Sequence, residues 1–330
     1  MVNTLKRAGV ALAAAAAAAV GMVGGYAHAD WVPTRPVEVI VHTGPGGGSD
    51  LLARAVAHMM EAEKLLPVRM QVVNKPGGNG AVAAAAIYEK KDDPNTLGFI
   101  TSVWIANALT TKEAKITIHD LKPIAQLMLE PAVFAVRADS PYKTLKDFIE
   151  AAKANPGKLK QSGGSITSRD NIIRETLQHA TGAKWAFVSF PGGGARLAAL
   201  LGGHVDIMVI EPQEAGEQVR AGKLRVLAQL TEKRLPGYPD APTLREAGFD
   251  VEATPQIRGV VAPPEMPADA VAYWEGRFAK LRETPSYRKY IKDNQLEDAF
   301  LTGDEMRKSI DRISKQMRSE FVASGIKVVR

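Results

Sequence analysis

The sequence predicts an α/β fold in two lobes, each a mostly parallel sheet flanked by helices. Three observations carry this expectation. Apolar runs of strand length alternate along the chain with amphipathic stretches of helical period. Once an N-terminal export signal is set aside, about 300 residues remain, enough for two domains of ordinary size. The 330 residues contain no cysteine, so an exported chain of this length must rest on a large conventional core rather than on disulfides.

The export signal is assigned to residues 1–29. Lys6 and Arg7 give it a positive start, "AGVALAAAAAAAVGMVGG" is its apolar part, and Ala27-His28-Ala29 is a small-x-small cleavage site. A membrane anchor is the competing reading. The alanine-dominated composition and the adjoining cleavage site argue against it, and no second stretch of spanning length follows. The mature protein is expected to begin near Asp30 and to be periplasmic. Net charge is +6 for the whole chain, or +4 once Lys6 and Arg7 leave with the signal. Both signs are interspersed, as in "EKKDD" and "DEMRKSIDRISKQMR", which describes solvated helix faces and not a nucleic-acid footprint. The absence of cysteine also removes thiolate zinc sites, iron–sulfur clusters and cysteine nucleophiles.

"VEVIVHT" reads as a buried strand, and Leu51, Leu52, Ala55, Val56, Met59 and Met60 then recur at helical spacing. Ser49 is the expected N-cap of that helix, with Asp50 in its first turn, where a carboxylate suits the dipole. "VRMQVVN" is a second strand, followed by "KPGGNG" and the helix "AVAAAAIYEKK", and "TLGFIT" is a third, ending at Thr101-Ser102. "PAVFAVRADSP" is a strand leaving this first lobe. In "TLKDFIEAAKANPG", Thr144 and Asp147 form a near-capping box, Leu145, Phe148, Ile149 and Ala152 line one face, and Pro156-Gly157 ends the helix. "KLKQSGGSITSRDNIIRETLQHATG" and "AFVSFPGGGARLAALLGG" each supply strand, loop and helix, and "VDIMVIEP" and "LRVLAQL" are further strands. "EKRLPGYPDAPTLREAG" reads as a punctuated segment with a short helix. Two helical stretches close the chain; the stripe Met306, Ile310, Ile313, Met317 and Phe321 in the last is expected to pack back on a lobe.

Pro-Gly-Gly occurs at 45–47, 76–78 and 191–193, each time at a predicted strand-to-helix junction, and small residues also fill the junction at 162–167. Punctuation of turns explains any one of these, but explains their recurrence less well. A dinucleotide loop fails because Ser49 stands where the third glycine belongs, and a P-loop fails because no lysine follows the glycines. The nearest match to a nucleophile elbow, "GGSIT", has Thr167 in place of the second glycine, so an α/β hydrolase is the weaker reading. No histidine pair or calcium-loop spacing supports a metal. What fits is anion capture: exposed N–H groups at helix N-termini, glycines that admit a ligand carboxylate, and hydroxyls as adjustable donors. Loops of this kind on two lobes would clamp the anion between them, with no catalysis and no cofactor. Arg169, Arg196 and Arg258 lie near the loops as possible bidentate partners.

In order along the chain, "PTRPVEVIVHTGPGGGSDLLAR", "VVNKPGGNGAVAAAAI", "SPYKTLKDFIEAAKANPGKLKQSGG", "FPGGGARLAALLGGHVDIM", "AGKLRVLAQLTEKR", "YPDAPTLREAG" and "GVVAPPEMP" together resemble the Bug family, the substrate-binding receptors of tripartite tricarboxylate transporters. The resemblance implies a two-lobed type II periplasmic binding-protein fold, with lobe 1 formed by residues 30–130 and 255–330 and lobe 2 by residues 131–254. It implies a receptor, expected to be a monomer, that delivers an organic acid, a carboxylate or dicarboxylate, to a membrane permease. A receptor that instead signals to a membrane sensor kinase would share the same sequence. Carried over residue by residue, ligand contact falls to Pro45, Gly46, Gly47, Gly48, Ser49 and Asp50, to Gly78 and Asn79, and to Thr101 and Ser102. In lobe 2 it falls to Ser162, Gly163, Gly164, Ser165, Thr167 and Ser168, and to Gly192, Gly193 and Gly194. The chain departs from the family at His42-Thr43-Gly44, where relatives carry an apolar residue, at "SRDNI" (168–172), and at "QIRG" (256–259). The last two place Arg169 and Arg258 near the crevice mouth, where they are expected to favour a second ligand carboxylate.

Overall fold

Two mixed sheets organise the protein, whose computed structural model describes residues 31–190 and 193–330. The expected export signal, residues 1–29, and Pro191-Gly192 lie outside the described residues. The first sheet has the order β11-β4-β10-β3-β1-β2, from β1 (Val37–Val41), β2 (Met70–Asn74), β3 (Thr96–Thr101), β4 (Lys122–Glu130), β10 (Gln256–Ala262) and β11 (Leu301–Thr302). The second has the order β7-β6-β8-β5-β9, from β5 (Val133–Arg137), β6 (Lys160–Gly163), β7 (Ala186–Ser189), β8 (Ile207–Ile210) and β9 (Leu224–Gln229). The chain thus leaves the first sheet after Glu130 and rejoins it at Gln256.

The parallel pairing expected of strand–helix alternation holds for β2-β1-β3 and for β7-β6-β8. Beside them, β10 runs antiparallel to both β3 and β4, and β5 antiparallel to both β8 and β9. These are the strands that follow a passage from one sheet to the other, and they enter without the helical crossover that would make them parallel. β4 is an unforeseen element. Its residues 123–128 are buried without a break, so alternation gave no strand signal.

The helices that frame the strand ends are α1 (Gly48–Ala62), α2 (Ala81–Tyr88), α3 (Ser102–Thr110), α4 (Leu145–Ala154), α5 (Arg169–Thr181), α6 (Gly193–Leu201) and α7 (Pro212–Arg220). Three helices, not two, close the chain: α8 (Ala268–Glu283), α9 (Pro285–Asp293) and α10 (Gly303–Ala323). Pro285 cannot continue α8, and Thr284 caps the new helix by accepting from Tyr287 N–H. The segment 231–248 forms turns without the expected short helix, pinned by Gln229, whose side-chain amide donates to the carbonyls of Tyr238 and Ala241.

Period-two alternation explains how the second sheet is buried on both faces. Phe134, Val136, Ile207 and Val209 face one cluster with Phe148 and Trp185; Val133, Ala135, Met208 and Ile210 face another with Leu200. On the first sheet the stripe of α10 packs as expected, joining Trp104, Ile105, Leu109, Ile257 and Val261 in one core. Both sheets direct the C-terminal ends of their parallel strands into loops that begin helices. That is where open α/β sheets form ligand crevices.

Candidate functional site

The loop after β1 is filled by a carboxylate of its own. Gly46 adopts a left-handed φ of +78°, which turns its N–H onto Asp50 Oδ2 at 2.9 Å. The same carboxylate accepts from Arg54 Nε (3.0 Å) and Asn74 Nδ2 (2.9 Å), while Asp50 N–H donates to Thr43 Oγ1 (3.2 Å). The Arg54 hydrogen bond, with help from Gly46 N–H and Asn74, holds Asp50 down at about 2 against burial. This corrects the expected cap. The N-cap is Gly47, and Asp50 reaches back from the third helical position in place of a Ser49 hydroxyl. Ser49 is buried within the first turn, its Oγ 3.5 Å from His42 Nδ1. Among the described residues the first-turn N–H groups of Gly48 and Ser49 have no acceptor, and Pro45 is exposed.

The next two loops are braced by α3. Gly78 and Asn79 offer their carbonyls to Asn107 Nδ2, and Asn79 itself stands at φ +51°. A Cβ on Gly80 would lie 2.9 Å from Trp104 Nε1, so only glycine lets this loop lie against the indole. Thr101 caps α3 by accepting from Val103 N–H. Ser102 Oγ donates to the Pro255 carbonyl and accepts from Ile257 N–H, both at 2.9 Å. Its hydroxyl ties α3 to the start of β10 and is not free for a ligand.

In the second sheet's loops the pattern repeats. Gly164 N–H donates to Asp170 Oδ2 at 3.1 Å, so here too an internal carboxylate lies on the glycine backbone. Ser168 Oγ donates to the Ser165 carbonyl, Ser165 Oγ and Thr167 Oγ1 lie 3.3 Å apart, and a Cβ on Gly163 would strike the Phe187 ring. Ser162 is fully buried with its hydroxyl unpartnered, which removes it from any open crevice. At α6, Glu214 Oε2 comes within 2.3 Å of where a Gly193 Cβ would stand, whereas Gly194 has open space; Gly192 lies outside the described residues.

The arginines expected to meet a second ligand carboxylate, Arg169 and Arg258, are each already held by an internal carboxylate, while Arg169 Nε is buried without a partner. Arg258 Nη2 donates to Glu130 Oε2 at 2.5 Å. Arg169 donates to the Glu130 carbonyl (2.7 Å) and to Glu211 Oε1 (2.8 Å). Arg196 donates to Asp170 Oδ2 (2.5 Å) and to Glu211 Oε2 (3.4 Å), with Glu214 Oε2 at 3.7 Å. Gln213 Nε2 completes the set on Glu130 Oε1 at 2.9 Å. Four carboxylates therefore face three guanidinium groups. Burial and the neighbouring Glu211 push the left-over Glu214 up to about 7.

These contacts run without a break from the first sheet to the second. A Cβ on Gly48 would lie 3.0 Å from Arg258 Nη2; Arg258 reaches Glu130, Glu130 meets Arg169, and Glu211 and Arg196 lead to Asp170 and Gly164 on one side and to Glu214 and Gly193 on the other. Glu130, Asp170, Glu211, Gln213 and Glu214 were missed in the sequence. Glu130 and Glu211 each end or directly follow a strand, and that position was the available signal. A small cavity of about 10 Å³ lies beside the network, lined by Ser102, Thr167, Arg169, Thr254 and Gln256 among others. A larger hollow of about 290 Å³, bordered by Arg54, His58, Arg69 and Val72, contains none of the expected site residues. No helix among the described residues is long and apolar enough to cross a membrane.

Comparison with known proteins gives the family and the fold. Residues 52–320 match the family TctC, described as tripartite tricarboxylate transporter family receptor. The chain is similar to the "UPF0065 protein in gbd 5'region" of Cupriavidus necator, with 33% identity over 302 residues, 91% of this chain and 90% of that one. Among solved structures it resembles a TctC solute binding protein from Polaromonas determined with no ligand (29% identity, TM-score 0.71, 88% of this chain and 98% of that one). It also shares the fold of an R. palustris protein determined with adipate (24% identity, TM-score 0.81, covering 90% and 99%).

Proposed function

Since the chain belongs to the tripartite tricarboxylate transporter family of receptors, we propose that it captures one small organic acid between its two lobes in the periplasm and delivers it to a membrane permease. The lobes are residues 30–130 with 255–330, and residues 131–254, each built on one sheet. Capture and release are the whole task; the ligand leaves unchanged.

The observation that supports this reading best is the unbroken run of contacts from Gly48 to Gly193, which joins loops at the strand ends of both sheets. It also narrows the ligand. Each guanidinium of the network already faces a carboxylate, so a ligand carboxylate is met first by uncharged donors, above all the Gly48 and Ser49 N–H groups at the positive end of α1. The excess of carboxylates at the other end of the network repels a second anionic group and suits a hydrogen-bond donor or a cation, with Glu214 nearest to hand. The preferred ligand therefore carries one carboxylate and a donor-bearing far end.

A thermal-shift panel of mono-, di- and tricarboxylates, aromatic acids and amino acids tests this. Acids with one carboxylate and a donor end should raise the melting temperature more than dicarboxylates of equal length. A ligand at a hundred times its Kd stabilises by about 2.7 kcal/mol. A stronger response to dicarboxylates would refute the ligand class, and no response to any acid would refute the receptor role.

A further inference from the structure

The charged network leaves out the residue that follows β1 directly. His42 stands where the first sheet opens toward the loops of α1 and α3. Trp104 Nε1–H donates to His42 Nδ1 at 2.9 Å, with the two rings edge-on at 85° and 5.7 Å between centroids. Indole nitrogen can only donate, so the Nδ1 it meets carries no proton. The imidazole is therefore neutral, with its hydrogen on Nε2. Trp104 is 2% exposed and has Gly80 pressed against its nitrogen, so the donor cannot swing away.

Burial, aided by the positive charge of Arg258, pushes His42 down to about 4, in line with that geometry. Arg258 is the charged neighbour that His42 senses, and its own partner is Glu130. From α1, Ser49 meets the same Nδ1, and the Asp50 carboxylate is turned to Gly46, Arg54 and Asn74. Nothing among these groups would protonate the ring at ordinary pH. Among the described residues Nε2–H has no acceptor, and it is not one of the atoms sealed off from solvent. A half-buried donor without an acceptor awaits one.

We propose that His42 is a ligand-contacting residue of this receptor, donating from Nε2–H to an acceptor oxygen of the bound acid, and that Trp104 is the positioning residue that fixes its tautomer. The proposal rests on the solute-receptor reading and deepens it. His42 shares the mouth of the first sheet with the free N–H groups of Gly48 and Ser49, so the acid's oxygen meets neutral donors only. His42 itself should then contribute no pH dependence between pH 8 and pH 5, and any change of affinity in that range follows Glu214, raised to about 7.

Two measurements test it on the full chain. Nitrogen-15 NMR of the histidine rings reads the tautomer without any ligand; His42 should show a proton on Nε2 and an unprotonated Nδ1, unchanged between pH 8 and pH 5. Titration calorimetry then follows the best binder among 4-hydroxybutyrate, 4-aminobutyrate, butyrate, succinate, adipate, citrate, benzoate and glutamate. His42→Phe should weaken it roughly tenfold or more, and His42→Gln, whose amide can still donate, should lose only about threefold. Trp104→Phe removes the donor that fixes the tautomer, so His42 should carry part of its proton on Nδ1 in the NMR spectrum and the affinity should fall about threefold, with the wild type's pH profile retained because burial and Arg258 remain. A ring protonated on Nδ1 in the wild type would overturn the proposal by itself, even if a variant fails to fold. Equal affinity of folded His42→Phe and wild type would do so too. If the wild type binds none of these acids while the tautomer is as stated, the receptor reading has failed and takes the ligand contact with it.

Discussion

Removing the Asp50 carboxylate leaves Gly46 N–H and Asn74 Nδ2 without the acceptor they share in a half-buried loop. Asp50→Ala should therefore cost about 2–3 kcal/mol in urea unfolding, with Asp50→Asn losing less because its amide oxygen still accepts. The carboxyl is lowered from 3.8 to about 2, so its contribution is present above pH 3.8 and is lost as pH falls through 2. Glu214 has the opposite sign. Raised from 4.5 to about 7, it contributes most below pH 4.5, and that contribution is lost as pH rises through 7. Glu214→Gln should leave the melting temperature near the wild type's at pH 5 and raise it at pH 8, and an equal shift at both would contradict the assignment. At this scale the sequence showed where glycine backbone is bare but not what covers it. Asp50 and Asp170 each lie within six residues of the N–H they accept, yet whether a carboxylate turns inward or out depends on Arg54, Asn74 and Arg196, brought up by the fold.

Local elements were the most legible. The near-capping box of α4 forms as read: Thr144 Oγ1 accepts from Asp147 N–H at 3.1 Å, and Asp147 Oδ2 accepts from the N–H groups of Thr144 and Lys143 at 2.9 Å. All its partners lie within four residues, so nothing distant is needed to fix it. Thr144→Ala should destabilise the protein by about 1 kcal/mol in denaturant titration, with the m-value unchanged. The stripe of α10 was readable for the same reason, its period being a property of one segment. β4 was not readable, because an uninterrupted apolar run carries no face; only its pairing with β10, more than a hundred residues away, defines it as a strand.

Across the whole molecule, the two sheets meet through side chains whose roles only the assembled fold decides. Arg169, Arg196 and Arg258 looked like anion receptors in the sequence because each carboxylate they meet, Glu130, Asp170, Glu211 or Glu214, lies 15 or more residues away along the chain. In the proposed reading the paired arginines build the floor of the site, and neutral donors meet the acid first. A ligand that closes the lobes on this floor should make the chain more compact in solution scattering. The most direct test is equilibrium titration of the intact protein with the best acid of the panel, followed by mass spectrometry of what is released. One equivalent bound per chain and the same acid recovered unchanged is the expected result. Conversion of the acid, or saturation without any bound equivalent, would contradict a receptor that grips its ligand without reacting with it.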